Sequence, residues 1–184
     1  MNGYLLIDKP QGISSFDVIR KVRKKIDQRK MGHSGTLDPL ATGLMLLAIG
    51  EGTKLLEYLI GCDKEYEVLA EFGMISDTYD ADGELSVADR EFVAAEADIE
   101  GKIKECFLGE IEQLPPKYSA LKINGKRACD LVRAGEKVEM KSRKIKVHDF
   151  SVLDYEWPLV RFKVSCGSGT YIRSLVNDLG AEFG

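Results

Sequence analysis

The most chemically concentrated stretch of the sequence is residues 33–43, which read HSGTLDPLATG. It places an imidazole, hydroxyls, a carboxylate and two glycines between two predicted elements, and loops of this kind carry binding and catalytic groups. Asp38 precedes Pro39, and a residue before proline is biased toward extended backbone. We therefore expect the carboxylate to be held out from the chain, where it could act as a nucleophile or a base.

Two other interpretations of this stretch are open. Asp38 could be the N-cap of a helix that has Pro39 in its first turn, which would be a purely structural role. His33, Ser34 and Asp38 also contain the three groups of a hydrolase triad. A triad needs the imidazole between the other two groups, however, and residues this close in sequence do not easily arrange that.

Motifs for nucleotides and metals are missing. The sequence GSG at residues 167–169 could seat a phosphate, but it lacks the third glycine of a dinucleotide fingerprint. There is no Walker loop and no ligand-like spacing of histidines and carboxylates. The four cysteines contain no Cys-x-x-Cys pair. We expect no cofactor, no metal, and reduced thiols that are buried.

Short apolar runs and alternating stretches predict five strands. They cover residues 3–7, 43–49, 64–72, 144–153 and 159–166. In the third of these, Tyr66 and Val68 fall on one face while Glu65 and Glu67 fall on the other, as in a half-buried strand. Asn124–Gly125 marks a tight turn.

Apolar residues at helical spacing predict four helices. They cover residues 15–27, 53–60, part of 96–107, and the stretch that follows Thr170. Ser14 is a good N-cap with Asp17 three residues later, Gly61 ends the second helix, and Thr170 can cap the last. The sum is an α+β fold with a mixed, mainly antiparallel sheet and flanking helices.

The composition is that of one soluble globular domain. The chain has 184 residues, of which 44% are hydrophobic and 30% charged, which excludes disordered, collagen-like and coiled-coil proteins. The longest apolar run, Leu44–Ile49, is far short of the roughly 20 residues that a membrane span needs. The first residues do not have the pattern of a signal peptide, so we expect a cytoplasmic protein that does not enter a membrane.

The net charge of −4 conceals three charge blocks. Residues 17–30 contain seven basic and two acidic side chains, and residues 117–146 contain ten and three. Residues 77–112 contain twelve acidic and three basic side chains. If the fold brings the basic blocks to one face, they would bind phosphates; otherwise they are ordinary solvated helix faces.

Five stretches together resemble the motifs of one family. They are DKPQGISS at 8–15, GHSGTLDPLATG at 32–43, KEY at 64–66 followed by DTYD at 77–80, PPKYSALK at 115–122, and GTYIR at 169–173. In this order they resemble the TruB family of tRNA pseudouridine-55 synthases. The resemblance runs through essentially the whole chain, and its second stretch, which is similar to the catalytic motif, is highly specific.

The resemblance implies a pseudouridine synthase-like catalytic domain and an isomerisation. Uracil at position 55 of the tRNA T-loop is detached from its ribose and rejoined through C5 instead of N1, without cofactor or metal. Asp38 would be the nucleophile and would attack either C6 of the base or C1′ of the sugar. The sequence does not choose between these routes.

The resemblance also assigns roles to five other residues. Arg173 would pair with the catalytic aspartate and keep it ionised. Tyr66 would stack on the target base, Tyr171 would contact the uracil, and Lys9 would support the catalytic loop, with a smaller claim to direct catalysis. His33 would fill the gap left by the flipped uridine. On the residues alone, Arg173 would be a solvated helix residue, Tyr66 a core tyrosine and His33 an exposed loop histidine.

Residues 113–140 are similar to an insertion that clasps the RNA stem-loop in the family, which would use the second basic block. The implied partner is the T-arm of tRNA. The form of residues 40–42 resembles the bacterial stand-alone branch, so no guide RNA is expected, and we expect a monomer. Cys129 stands where the family often has an aromatic residue.

Family members continue beyond the helix around residue 180 into a further strand and a small C-terminal RNA-binding domain. Because this chain stops at Gly184, we expect residues 1–184 to be a catalytic domain truncated at its C-terminal end. A second class of function is therefore open, a module that binds or folds the T-arm without catalysis.

Overall fold

The computed structural model describes residues 1–88 and 92–183. The chain divides into two compact units, Met1–Cys62 and Asp63–Gly184. Every strand pairing between described residues is antiparallel, which confirms the α+β fold and the antiparallel character of its sheets. In the described ranges, no helix has the length and apolar character needed to cross a bilayer.

The first unit is a three-stranded sheet with one long helix. Its elements are β1 (Gly3–Lys9), α1 (Ser15–Ile26), β2 (Met31–His33), β3 (Gly43–Ile49), a 3-10 turn (Gly50–Leu55) and α2 (Leu56–Ile60). The strand order is β1-β3-β2. Lys9 pairs with Gly43, so the segment that joins β2 to β3 lies at the edge of the sheet where β1 ends.

Helix α1 forms where the sequence predicts it. Ser14 accepts a hydrogen bond from the main chain of Asp17, and the Asp17 carboxylate accepts one in return, which makes a capping box. Val18 and Ile19 are buried against the sheet, and the opposite face is basic and exposed. The core of this unit consists of Val18, Ile19, Met31, Met45, Leu47 and Ile49.

The second unit contains a four-stranded sheet in the order β4-β11-β10-β7 and two small hairpins. Its elements are β4 (Lys64–Glu71), β5 (Met74–Ser76), β6 (Leu85–Val87), α3 (Glu96–Cys106), β7 (Gly109–Gln113), β8 (Lys122–Ile123), β9 (Lys126–Arg127), α4 (Ala128–Arg133), β10 (Arg143–Glu156), β11 (Leu159–Cys166) and α5 (Ile172–Ala181). Asn124 and Gly125 both have positive φ in the β8–β9 turn, which confirms the predicted tight turn.

Helices α3 and α5 share one core with this sheet. Ile99 and Ile103 of α3 and Leu175 and Leu179 of α5 are at most 2% exposed and belong to one cluster with the inward residues of the strands. In β4 the exposed and buried positions alternate as predicted, with Tyr66 on the inward face.

Some details of the sequence interpretation are wrong. The predicted helix over residues 53–60 is α-helical only over Leu56–Ile60, because a 3-10 turn occupies its first part. Thr170 does not cap α5; its hydroxyl donates to the carbonyl of Gly167, and Tyr171 is the N-cap. Cys166 is buried as expected, whereas Cys62 and Cys106 are exposed. Three residues of the acidic block, 89–91, lie outside the described residues.

Candidate active site

Asp38 lies in the loop between β2 and β3 and is half-buried. No helix begins there in the described chain. The main-chain N–H of Ala41 donates to the carbonyl of Asp38 at 3.1 Å and closes a single turn. The interpretation of Asp38 as a helix N-cap is therefore wrong, and its side chain belongs to a loop.

Lys9 holds this loop in place. Its side chain is fully buried at 0% exposure, and its Nζ lies 3.1, 2.8 and 3.1 Å from the carbonyl oxygens of Pro10, Ile13 and Pro39. An ammonium has three protons, so three acceptors match it. Burial lowers the pKa of Lys9, and the negative charge of Asp38 opposes that shift. This geometry supports the prediction that Lys9 braces the loop.

Two further groups fix the same loop. The Ser15 hydroxyl donates to the Leu37 carbonyl and accepts from the Leu37 N–H, both at 2.9 Å. The main-chain N–H of Gly12 donates to the carbonyl of Pro39 at 2.8 Å. Ser15 is 3% exposed, and the sequence interpretation missed it, although it belongs to the quoted stretch DKPQGISS. The residues on both sides of Asp38 are therefore anchored to β1 and α1.

His33 is the last residue of β2, where the sequence predicts a loop. It pairs with Leu47 of β3 and is half-buried. Burial lowers the pKa of the imidazole, and a main-chain hydrogen bond with Gly35 partly opposes this. The side chain is thus held on a strand end and favoured in its neutral form.

Arg173 lies in the first turn of α5, where the helix dipole disfavours a cation. Oxygen atoms compensate for this. Nη1 donates to the carbonyl of Thr78 at 2.8 Å, Nη2 donates to the carbonyl of Tyr118 at 3.0 Å, and the Asp80 carboxylate lies 3.3 Å away. The arginine side chain is 13% exposed, so it is not a solvated helix residue. Its pairing with Asp38 stays a prediction.

Asp80 was not singled out as a site residue, although it ends the quoted stretch DTYD. The loop that carries it is built from its own hydrogen bonds. The Thr78 hydroxyl donates to the Asp80 carboxylate at 2.6 Å, and the main chain of Asp82 donates to it at 3.1 Å. The carboxylate side chain is 12% exposed. These hydrogen bonds orient the Asp80 carboxylate independently of its contact with the Arg173 guanidinium.

Tyr171 is held through both its main chain and its ring. The Gln113 side chain accepts from the Tyr171 N–H at 2.8 Å and donates to the Tyr171 carbonyl at 3.0 Å. The Arg143 guanidinium lies over the ring, 4.7 Å from its centre. Neither Gln113 nor Arg143 carries a sequence signal for this role; Arg143 looks like one more residue of the basic block.

Tyr66 lies on β4 opposite Val164 of β11 and is half-buried. It packs against the same core cluster as Ile172 of α5. The second unit thus places Tyr171 and Arg173 at the start of α5, and Tyr66 on the strand β4 that packs against the same core. The first unit places Lys9, His33 and Asp38 around one loop. That the two sets form a single pocket stays a prediction.

The basic block of residues 117–146 is partly neutralised. Lys126 lies 3.7 Å from Glu136, Lys144 lies 2.7 Å from Glu110, and Arg127 pairs with Asp130. Lys117, Lys122, Lys137 and Lys141 are exposed. Within the described part of the chain, no three side chains of the His, Cys, Asp and Glu types gather where a metal ion could bind.

The sequence matches the model of the TruB family pseudouridylate synthase N-terminal domain over residues 23–172. A tRNA pseudouridine synthase B from Clostridium kluyveri is 46% identical over 180 residues, covering 98% of this chain and 62% of the relative. One from Endomicrobium trichonymphae is 44% identical over 180 residues, covering 98% of this chain and 78% of the relative. The chain is thus shorter than these relatives.

Solved structures share the fold as well. A chain in the crystal structure of a Cbf5-Nop10-Gar1 complex has a TM-score of 0.75 and 31% identity, over 99% of this chain and 44% of that one. A chain in the structure of an H/ACA RNP bound to a substrate RNA containing 2′-deoxyuridine has a TM-score of 0.70 and 28% identity, over 99% and 43%. Motifs, family match and fold agree, and the chain belongs to the TruB family of pseudouridylate synthases.

Proposed function

We propose that this protein is a tRNA pseudouridine synthase that isomerises the T-loop uridine at position 55. The observation that carries the proposal is the anchored loop of the first unit, in which Lys9 and Ser15 fix the main chain on both sides of a half-buried Asp38. A carboxylate presented on a rigid support, in a segment shared with the family, suits a nucleophile better than a structural group.

The reaction conserves every atom of the uridine. The bond between N1 and C1′ breaks, a bond between C5 and C1′ forms, C5 loses its proton, and N1 gains one. Asp38 attacks C6 of the base or C1′ of the sugar, so it has to be ionised. Arg173 supplies the compensating charge, which lowers the cost of keeping a carboxylate in a site shielded from water.

The target base is stacked within folded RNA, and it must leave the stack before Asp38 can reach it. Unstacking costs a few kcal/mol, which contacts in the flipped state have to offset. Tyr66 offers an aromatic face for the uracil, with its phenol oxygen near the C5 proton. Tyr171 contacts the base in the pocket, and His33, placed on a strand end, fills the space that the base leaves.

RNA binding falls to the second unit in this proposal. Residues 113–140 clasp the T-arm stem-loop, and the exposed lysines of the basic block contact phosphates. The whole of residues 1–184 acts as a catalytic domain, in the cytoplasm, as a monomer and without a guide RNA. The similarity of the bacterial relatives over 98% of the chain supports the stand-alone mode.

The test is to incubate the protein with a T-arm stem-loop RNA, digest the RNA to nucleosides and quantify pseudouridine. We expect one pseudouridine per RNA with the wild-type protein and none with Asp38→Asn. Tight binding of the stem-loop by the wild-type protein without any product would contradict the proposal and assign the protein to a non-catalytic T-arm module.

A variant of the guanidinium separates catalysis from binding. Arg173→Lys keeps a positive charge but loses the planar group that reaches two carbonyls and a carboxylate at once. We expect turnover to fall much more than affinity for the stem-loop. Equal losses of both would count against the pairing of Arg173 with the nucleophile.

A further inference from the structure

Gln113 is a buried polar side chain whose amide nitrogen and amide oxygen both bond to the main chain of a single distant residue. It is 2% exposed and lies at the end of β7, and both of its hydrogen bonds go to the main chain of Tyr171, 58 residues further on. The side-chain amide therefore pairs with Tyr171 in the way that a neighbouring strand would. A buried amide that bonds to one residue through both its nitrogen and its oxygen fixes that residue in one position.

Arg143 acts on the same segment from the neighbouring strand. It is the residue directly opposite Gln113 in the β10–β7 register. Its guanidinium donates to the carbonyl of Gly169 and lies over the ring of Tyr171, 4.7 Å from the ring centre. Two paired residues thus hold the main chain before α5 and the aromatic ring that begins it.

Gln113 and Arg143, which we call the clamp, take the place of the side-chain cap that usually begins a helix. Tyr171 is the N-cap of α5 and makes no side-chain cap hydrogen bond, and the hydroxyl of Thr170 is turned back to Gly167. The Tyr171 carbonyl accepts the first helical hydrogen bond, from Leu175 at 3.1 Å, as well as the bond from Gln113. The direction of the first turn, which carries Arg173, therefore depends on an amide from β7.

We propose that Gln113 and Arg143 are positioning residues for the isomerisation: they set the main chain and ring of Tyr171 and, through the first turn of α5, the guanidinium of Arg173. This inference rests on the proposed function. Neither side chain is assigned contact with the uridine. In this proposal Arg143 does not contact RNA phosphates, although it belongs to the basic block.

The first experiment measures single-turnover pseudouridine formation on a T-arm stem-loop together with RNA affinity. Gln113→Met keeps the length of the side chain and removes both hydrogen bonds, and a displacement of about 1 Å at a reacting group costs up to about a hundredfold in rate. We expect a rate loss of about tenfold or more with unchanged affinity. A wild-type rate in this variant, with the wild-type protein active, would overturn the inference.

A pH profile of Gln113→Glu distinguishes positioning from general damage. A carboxylate accepts from the Tyr171 N–H but repels the Tyr171 carbonyl, whereas the protonated acid can donate to that carbonyl as the amide does. Burial raises the pKa of such a carboxyl group. The rate of the variant divided by that of the wild type should therefore rise as pH falls; a ratio independent of pH would contradict the clamp.

Ser174→Ala is the matched control. It removes a buried 3.0 Å hydrogen bond from α5 to the carbonyl of Leu114 without touching Tyr171. We expect lower stability than wild type but a much smaller rate loss than in Gln113→Met. Equal rate losses in the two variants would mean that α5 only needs to be stable, and would overturn the inference.

Two readouts keep the inference independent of the proposed reaction. Amide hydrogen exchange at Tyr171 should accelerate in Gln113→Met and stay near wild type in Ser174→Ala, even if the wild-type protein makes no pseudouridine; unchanged exchange in Gln113→Met would refute the clamp.

Arg143→Lys keeps the charge but not the planar stack. A lower rate with unchanged RNA affinity supports positioning, whereas weaker affinity with an unchanged rate would return Arg143 to the RNA surface.

Discussion

At the residue scale, Lys9 shows how one buried side chain can fix the loop that carries Asp38. The ammonium is buried and its partners are three carbonyl oxygens, one of which belongs to Pro39, the neighbour of Asp38. Burial lowers its pKa while Asp38 opposes the shift, so the two charges favour each other. We propose that Lys9 positions the loop, so its removal should affect folding as well as activity.

We predict that Lys9→Met lowers the free energy of unfolding by about 2 to 4 kcal/mol, because the buried ammonium is lost and the carbonyl oxygens of Pro10, Ile13 and Pro39 lose their donor. Denaturant unfolding measures this. Lys21→Met, which changes an exposed lysine of α1, is the control and should shift the free energy by no more than about 0.5 kcal/mol. Equal, small effects of both substitutions would contradict the bracing role.

His33 gives a pH dependence with a defined sign. Burial lowers its pKa below the ordinary 6.5, so the unfolded chain binds this proton more readily than the folded one. The free energy of unfolding should therefore rise with pH through the interval that ends near 6.5 and fall as the solution is acidified. Unfolding measured between about pH 5 and pH 8 tests this. The contribution should disappear in His33→Gln; an identical pH profile in that variant would contradict the assignment.

At the scale of elements, the sequence predicted those helices and strands whose structure depends on residues close together in the chain. The capping box of Ser14 and Asp17 sets the start of α1, and the alternation over residues 64–72 sets the inward face of Tyr66. These two features depend on neighbours within about one turn or two strand residues. The sequence also predicted the loop around Asp38 as the site of chemistry, but not the anchors of that loop, which lie 22 and 30 residues away in the chain.

The elements that the sequence interpretation missed depend on partners far along the chain. Strand β7 has no strong alternation of its own and forms because it pairs with β10 about thirty residues later. The hydrogen bonds of Gln113 to Tyr171 and the contact of Asp80 with Arg173 join segments that lie even further apart in the chain. No pattern in a short window reports such pairs, so most of the support for the candidate site was invisible in the sequence.

The loop that carries Asp80 makes a prediction about one glycine. A Cβ at Gly83 would overlap the side-chain oxygens of Ser76, Asp77 and Thr78, which build the loop. Gly83→Ala should lower the free energy of unfolding by about 1 to 3 kcal/mol and displace Asp80 from Arg173, which lowers turnover.

Gly101→Ala is the matched control, since a Cβ there meets nothing within 4 Å in the middle of α3. It should stabilise the protein by about 0.5 to 1 kcal/mol, because alanine favours a helix more than glycine does. Thermal unfolding and turnover of the two variants decide the matter. Equal stability and equal turnover of the two variants would show that turnover does not require the close packing of the Asp80 loop.

For the whole molecule, the property that matters most for RNA binding is the segregation of basic and acidic residues along the chain. The net charge is −4, yet residues 117–146 contain ten basic and three acidic side chains. Some of these pair with acidic neighbours, while lysines such as Lys117, Lys122 and Lys141 are exposed. An acidic protein can therefore present a local phosphate-binding surface.

We predict that a combined Lys117→Gln, Lys122→Gln and Lys141→Gln variant weakens T-arm binding and flattens its salt dependence. The slope of log affinity against log salt should fall in magnitude by up to about 0.9 for each phosphate that a lysine no longer neutralises. Fluorescence titrations at several salt concentrations measure the slope. Lys102→Gln with Lys104→Gln, on α3, is the control and should leave it unchanged. An unchanged slope in the triple variant would place the RNA elsewhere.

The most direct test of the central claim follows the C5 proton. A T-arm stem-loop is prepared with tritium at C5 of its T-loop uridine, and release of tritium into water is measured with the wild-type protein, with Asp38→Asn, and with Asp154→Asn, which changes an exposed carboxylate on β10. Because isomerisation puts C1′ on C5, we predict one tritium released per RNA by the wild type and by Asp154→Asn, and none by Asp38→Asn. Release by Asp38→Asn at the wild-type rate, or no release by a wild-type protein that binds the RNA, would contradict a catalytic role for Asp38.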